Sequence, residues 1–131
     1  MEESIMEKNM NLSEDELKRI VKKHLEREGW QVEVAWGRER GIDIDARLGK
    51  KRWIIEAKGC GSRPAMHLNY FLSMLGELLQ RMDDDNAKYS IALPNFERYT
   101  TLWSKLPKLA KQRSKISCLF VNENGKVIEE K

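Results

Sequence analysis

The chain has 131 residues, of which 40% are hydrophobic and 34% are charged, and its formal net charge is +3. This length suits one compact domain, since domains most often hold roughly 100 to 150 residues. No run approaches the roughly 18 to 20 apolar residues of a membrane-spanning helix, and the acidic N-terminus carries no visible signal or transit peptide. We therefore expect a cytoplasmic protein with no membrane partner, in which residues 1–11 form a flexible lead-in and residues 12–131 form a single domain.

A capped amphipathic helix is the first predicted element. Ser13 and Glu16 have the spacing of a capping box, in which each side chain accepts a hydrogen bond from the other residue's backbone amide. Gly29 suits the left-handed conformation that ends many helices. Between these two signals, apolar residues recur at helical spacing at Leu17, Ile20, Val21 and Leu25.

Three strands are predicted next. Residues 30–36 alternate between apolar and polar side chains, which indicates a half-buried strand. Two further runs, 42–48 and 52–58, flank Gly49-Lys50, where a glycine at the first position favours a tight hairpin turn. We therefore expect these two runs to pair as antiparallel strands.

The second half of the chain predicts more helices and strands. A broad apolar stripe indicates a long central helix over residues 64–82. Asn124-Gly125 is a turn signal that would let residues 126–128 return as an edge strand. The other expected elements are strands over 88–93 and 116–121, a helix over 96–105 and a short helix after Pro107.

The expected hairpin brings two carboxylates together. With the turn centred between Gly49 and Lys50, Asp43 becomes the cross-strand neighbour of Glu56, and their Cβ atoms would lie about 5 Å apart. Alternation of side chains also places Lys58 on the same face as Glu56. Two like charges this close repel each other unless a cation lies between them. Hard oxygen ligands favour Mg²⁺ or Mn²⁺ as that cation, and such an ion suits phosphodiester hydrolysis.

These residues resemble a known family. Gly41-Ile42-Asp43, a short hairpin and Glu56-Ala57-Lys58 are similar to the motif of the PD-(D/E)XK nuclease superfamily, which includes restriction endonucleases, archaeal Holliday-junction resolvases and Mrr-type enzymes. Ile42 stands where the family has its proline. The resemblance covers residues 13–93 and implies a restriction-endonuclease-like, three-layer α/β/α fold with a central mixed sheet and an αβββαβ core.

The resemblance also implies a function and a set of site residues. It implies a Mg²⁺-dependent or Mn²⁺-dependent nuclease that cuts DNA endonucleolytically. The implied metal ligands are Asp43, Glu56 and the carbonyl oxygen of Ala57, with Lys58 as the catalytic lysine. Many members add a glutamate from the first helix, for which Glu16 is the candidate, although the capping box already uses it.

Asp45 is a secondary candidate at the same hairpin. Alternation places it on the same strand face as Asp43, where it would be an extra ligand. Its expected cross-strand neighbour is Ile54, however, so an outer-shell or salt-bridge role is an equal alternative.

Basic residues are the candidate contacts to nucleic acid. Residues 98–115 contain six basic and no acidic residues, with Tyr99 and Trp103 among them, and this pattern could follow a phosphate backbone. The alternative is a solvated helical face with Trp103 in the core. A second group of basic residues is expected near the carboxylates. The candidates in the two groups are Arg38, Arg40, Lys50, Lys51, Lys105, Lys108, Lys111 and Arg113.

Two other functions stay open at this point. One is a non-catalytic module of the same fold that binds nucleic acid. The other is an accessory subunit that uses the apolar helix over 64–82 as a partner surface. That apolar stripe is wider than one core contact needs, so a homodimer is also expected, and two active sites would suit double-strand cutting.

Overall fold

The structure is a computed structural model that describes residues 11–131. Most of the predicted lead-in lies outside the described residues, and the backbone amide of Asn11 donates to Glu123 Oε1 at 2.8 Å. The helices are α1 Glu14–Arg27, α2 His67–Gln80, α3 Glu97–Lys105 and α4 Lys108–Ser114, with a 3₁₀ turn over Pro64–Met66. The strands are β1 Gln31–Val34, β2 Ile44–Leu48, β3 Lys51–Ala57, β4 Ala87–Pro94, β5 Ser117–Val121 and β6 Val127–Glu130.

All six strands form one mixed sheet. Its strand order follows the chain from β1 to β6. β3, β4 and β5 are mutually parallel, whereas β1, β2 and β6 pair antiparallel with their neighbours. This architecture confirms the predicted α/β fold class with a central mixed sheet. The αβββαβ order is also present.

The turn signals in the sequence explain the ends of α1 and β2. Ser13 Oγ accepts a hydrogen bond from the backbone amide of Glu16 at 3.2 Å, which satisfies one of the free amides at the start of α1. Gly29 ends the helix with a φ of 96°. At the hairpin, Gly49 has a φ of 61°, which a side chain would strain. The register pairs Asp45 with Ile54, as the turn position predicts.

Helices cover both faces of the sheet, so the core has two layers. On one face, α1 packs its buried side chains, among them Leu17 and Val21, against strand residues such as Ile55. On the other face, α2 and α3 pack buried side chains, among them Phe71 and Tyr99, against a second set of strand residues. The layers confirm the predicted three-layer arrangement.

Several predicted details differ from the structure. β1 covers Gln31–Val34 rather than 30–36, and the helix over 64–82 divides into the 3₁₀ turn and α2. Alternation along the predicted strand over 42–48 would place Ile42 on the same face as Ile44, but Ile42 packs in the opposite core layer. The reason is that β2 begins only at Ile44, so strand alternation does not extend to Ile42. No helix among the described residues is both long and apolar enough to cross a membrane.

Candidate metal centre

Three carboxylates meet at one edge of the sheet. Asp43 immediately precedes β2 and Glu56 lies near the end of β3, so both belong to the end of the hairpin that is remote from its turn. Glu77 reaches the same place from α2. Each of the three side chains offers an oxygen atom that lies within 4.8 Å of the other two.

Backbone amides hold two of these carboxylates in place. Asp43 Oδ2 accepts a hydrogen bond from the amide of Ala57, and Glu56 Oε2 accepts one from the amide of Asp43, both at 2.9 Å. Each amide contact uses one carboxylate oxygen and leaves the other oxygen to interact with side chains. The hairpin therefore orients both side chains through hydrogen bonds from its own backbone amides.

Two cations lie beside the remaining oxygens. Lys18 Nζ is 3.5 Å from Asp43 Oδ1, and Arg81 Nε is 3.6 Å from Glu56 Oε1. Lys18 is only 1% exposed. A buried ammonium group is costly unless its protons have acceptors, and Lys18 Nζ also lies 2.6 Å from the carbonyl oxygen of Ala35 and 3.0 Å from Glu14 Oε2. Lys18 is therefore a fully engaged buried cation within the site.

Lys58 connects to this cluster through Glu14. Its Nζ is 3.5 Å from Glu14 Oε1 and 4.9 Å from the centroid of the Tyr70 ring. Since the other oxygen of Glu14 pairs with Lys18, one carboxylate from α1 bridges both lysines. Lys58 also lines the same cavity of about 440 Å³ as Asp43 and Glu56. The cavity thus brings together the three residues on which the predicted site depends.

Burial dominates the electrostatics of the cluster. It raises the pKa of Glu56 to about 7, with a further contribution from the charge of Asp43, against the opposing effects of the Asp43 amide and Arg81. Burial also raises the pKa of Asp43. For Lys18 burial acts in the lowering direction, but Glu14 and Asp43 outweigh it and the pKa is raised. Such shifts within a cleft are typical of functional sites.

The donor set fits a hard divalent cation. Asp43, Glu56 and Glu77 offer only carboxylate oxygens, which Mg²⁺ and Mn²⁺ prefer. A cation among them would also relieve the repulsion that disfavours ionised Glu56. Ala57 contributes its amide to Asp43 in this structure, and the carbonyl ligand that the family resemblance implies stays a prediction.

The structure corrects the expectation for Glu16. Its side chain is exposed, and its backbone amide serves the helix cap at Ser13. Glu14 is the residue of α1 whose carboxylate lies at the site. Two residues rotate a helix by about 200°, so Glu14 and Glu16 lie on nearly opposite sides of α1.

Asp45 belongs to an ion pair rather than to the carboxylate cluster. Its two oxygens accept hydrogen bonds from Arg52 Nε at 3.1 Å and Arg52 Nη2 at 2.9 Å. This bidentate contact corresponds to the salt-bridge alternative weighed for this residue.

Sequence reasoning missed Lys18, Glu77 and Arg81. Glu77 is the only acidic or basic residue in α2 apart from the histidine at its start, and an isolated carboxylate in so apolar a helix is a usable signal. Lys18 carries a comparable signal, because it lies on the apolar side of α1 between Leu17 and Val21. Arg81, directly after α2, carries no such signal.

The predicted nucleic-acid contacts separate into two groups. Arg40 lines the cavity of the carboxylates, and Arg38 lies nearby in the loop before β2. Lys50 and Lys51 lie at the hairpin turn, and a strand rise of about 3.3 Å per residue places that turn roughly 20 Å from Asp43. The expectation that these two lysines lie near the site is therefore wrong.

The later part of the basic run over 98–115 also lies away from the carboxylates. It leads into β5, which starts at the sheet edge opposite the end of the parallel strand β3. This part contains Lys105, Lys108, Lys111 and Arg113. Tyr99 and Trp103 are buried in the core, and Lys111 Nζ lies 4.5 Å from the Trp103 ring centroid. The aromatic residues of this run are therefore core residues, as the alternative interpretation predicted for Trp103.

Comparison with known proteins supports the fold. No protein-family model matches the chain, and no curated protein matches it significantly. A solved structure of a XisH family protein from Nostoc punctiforme superposes with a TM-score of 0.60 at 20% identity, covering 86% of this chain and 95% of that one. An fdxN element excision controlling factor from Anabaena variabilis gives the same TM-score and coverage at 18% identity. At these identities the likeness concerns the fold alone.

Proposed function

We propose that this protein is a metal-dependent nuclease that hydrolyses phosphodiester bonds of DNA endonucleolytically. The observation that carries the proposal is the meeting of Asp43, Glu56 and Glu77 within 4.8 Å at a cavity that Lys58 also lines. The resemblance of the hairpin motif to the PD-(D/E)XK superfamily supports the reaction class. The motif residues Asp43, Glu56 and Lys58 line one cavity in the fold.

Each group in the cavity has a chemical task under this proposal. Asp43, Glu56 and Glu77 hold Mg²⁺ or Mn²⁺, which when bound would activate water and offset the charge of the phosphate. Lys58, about one-third exposed and held by Glu14, contacts the phosphate that undergoes attack. Arg40 and Arg38 add positive charge at the rim, where the neighbouring phosphates of a nucleic acid would pass.

DNA is the proposed substrate. The family resemblance supports this choice, and the structural neighbour from Anabaena variabilis is named for control of element excision. Arg38 and Arg40 lie at the sheet edge that carries the carboxylates, whereas the other predicted basic contacts lie at the opposite edge. Only Arg38 and Arg40 are therefore assigned to the DNA segment at the cleavage point. Lys50, Lys51, Lys105, Lys108, Lys111 and Arg113 are proposed contacts to more distant phosphates.

Cleavage assays on supercoiled, linear, single-stranded and branched DNA test the proposal. We expect cutting with Mg²⁺ or Mn²⁺, none with EDTA, and a loss of at least a hundredfold in Asp43→Asn, Glu56→Gln and Lys58→Ala. Glu129→Gln is the matched control, because Glu129 is also a partly buried, ion-paired carboxylate but lies on β6. Cutting that continues in EDTA, or equally in all variants, would refute the metal-dependent mechanism.

A non-catalytic nucleic-acid-binding or accessory protein is the second candidate function. The observation that favours it is the arrangement of charge, because Lys18, Lys58 and Arg81 already pair with the carboxylates of the site. A cluster balanced in this way can persist without a metal. Binding of DNA that is unchanged by Mg²⁺, with no cleavage of any substrate by wild type, would select this function.

A homodimer through α2 is also proposed. Leu68, Leu72 and Leu79 are 42%, 55% and 54% exposed, and with Leu75 they repeat every four and three residues, as in paired helices. Light scattering should give twice the chain mass of 15.4 kDa for wild type and the monomer mass for Leu72→Glu. A monomeric wild type would exclude the dimer.

A further inference from the structure

A second cavity adjoins the candidate metal centre. Its volume is about 440 Å³, and it shares Glu14 and Lys58 with the cavity of the carboxylates. The Glu14–Lys58 ion pair, at 3.5 Å, is therefore a wall common to both cavities. A nucleotide attached to a phosphate beside Lys58 would have the second cavity within its reach.

Two glycines shape the second cavity. A side chain at Gly61 would be strained by the positive φ of 72°, and its Cβ would lie 2.5 Å from the Tyr70 ring. A Cβ at Gly59 would lie 2.5 Å from the backbone nitrogen of Glu14. The segment 59–62 can therefore pack closely on the start of α1 and on Tyr70 while lining the cavity with backbone.

The lining suits a neutral aromatic group better than a phosphate. Among the described residues, Glu14 and Lys58 are the charged side chains that line it, and they neutralise each other. A phosphate held inside this cavity would face the Glu14 carboxylate, which would repel it. The half-buried Tyr70 ring offers apolar surface, whereas the hydroxyls of Ser13 and Ser62 offer hydrogen bonds to a polar edge. A nucleobase has the complementary features, an aromatic face and a polar edge.

We propose that the second cavity binds the base of the nucleotide next to the scissile phosphate. A base inside a continuous duplex is stacked and paired, so it must leave the stack to enter a concave site. The substrate is therefore DNA with an unpaired or readily extruded nucleotide at the cleavage position. This inference rests on the proposed nuclease function, whose phosphate position it uses.

Binding measurements in EDTA test the base cavity separately from cleavage. Fluorescence anisotropy would compare a continuous duplex with the same duplex carrying one unpaired 2-aminopurine nucleotide. We expect wild type to bind the second oligonucleotide about tenfold more tightly, as the stacking of one base against a protein surface allows. The 2-aminopurine emission should also change on binding, because the base moves from DNA into the cavity.

Filling the cavity should remove the preference. Ser62→Leu places a larger side chain at the exposed rim and leaves the carboxylates untouched, so the preference should fall below about twofold while duplex affinity is retained. Ser104→Leu, at an exposed serine of α3, is the matched control and should keep the preference. Wild type that binds both oligonucleotides equally or binds neither, or a preference that survives in Ser62→Leu, would overturn the proposal.

The two proposals fail in different ways. Metal-dependent cutting without any preference for the unpaired nucleotide would refute the base-binding proposal and support the nuclease proposal. A preference that Ser62→Leu abolishes, in a protein that cuts none of the substrates, would support the cavity and leave the nuclease proposal refuted.

Discussion

The two edges of the sheet carry charge in different ways. At the edge where β3 ends, two charged side chains are buried and paired with their neighbours, namely Lys18 and Glu56, each 1% exposed. At the opposite edge, Lys50 and Lys108 are exposed, and the described contacts give neither an ion pair. Burying a charge is costly, whereas an exposed lysine costs almost nothing. Buried, mutually dependent charges are therefore stronger indicators of a functional site than a run of basic residues.

The largest difference between the edges should appear in stability. Lys18→Met removes a buried cation and leaves Asp43 and Glu14 without it, so we expect a loss of about 3 to 5 kcal/mol in the free energy of unfolding. Lys108→Met, at the opposite edge, should change it by less than about 0.5 kcal/mol. Urea denaturation at pH 7 measures both. Similar values for the two variants would contradict the distinction between the edges.

The pH dependence of stability should show the effect of burying Glu56. Burial raises the pKa of Glu56 in the folded protein to about 7, whereas its ordinary pKa is 4.5. Because the folded state holds this proton more tightly than the unfolded state, metal-free wild type should lose stability as the pH rises between these two values. Glu56→Gln removes this ionisation and should be more stable than wild type by about 3 kcal/mol at pH 8, with little difference at pH 4. Urea titrations across this range measure the effect. A constant difference at every pH would contradict it.

Arg81 should compete with a bound cation. It lies 3.6 Å from Glu56 and is 37% exposed, so its charge opposes a metal ion only through partly screened interactions. We expect Arg81→Gln to bind Mg²⁺ roughly fivefold more tightly in calorimetric titrations. Lys88→Gln, which removes a comparably exposed ion-paired cation on β4, is the control and should leave Mg²⁺ affinity unchanged. Weaker binding by Arg81→Gln would show that Arg81 supports the site rather than competing.

The smallest effect is expected at Asp45. Asp45→Asn breaks the bidentate contact with Arg52 and should lower the free energy of unfolding by about 1 kcal/mol. Metal affinity should stay within twofold of wild type, because Asp45 lies outside the carboxylate cluster. A larger loss of Mg²⁺ binding would show that Asp45 contributes to the metal site as an outer ligand.

The hairpin was predictable because its signals are local. Gly49 defines the turn, and the turn defines a register that ends at the Ile44–Ile55 pair. The next residues beyond this pair, Asp43 and Glu56, therefore meet, and the Asp43 amide donates to Glu56 Oε2. The capped helix and the alternating strands are local in the same sense, which explains the correct fold class. Ile42 shows the limit of such reasoning, since its face depended on where β2 begins.

The rest of the site depends on tertiary contacts that spacing does not encode. Glu77 and Arg81 reach the hairpin only because α2 crosses the face of the sheet that carries Ile54. Glu14 and Glu16 differ in the direction in which their side chains leave α1. The sequence made Glu16 the candidate, but Glu16 belongs to the helix cap and Glu14 lies at the site. Charge composition also failed to show that the basic residues divide between two edges.

Binding of Mn²⁺ to the metal-free protein, followed by electron paramagnetic resonance, tests the central claim most directly. We predict at least one Mn²⁺ bound per chain in wild type and its loss in Glu77→Gln, the variant of the ligand that only the folded structure identifies. Glu129→Gln should bind Mn²⁺ as wild type does. Wild type that binds no Mn²⁺, or a Glu77→Gln variant that binds it unchanged, would contradict a cation site formed by Asp43, Glu56 and Glu77.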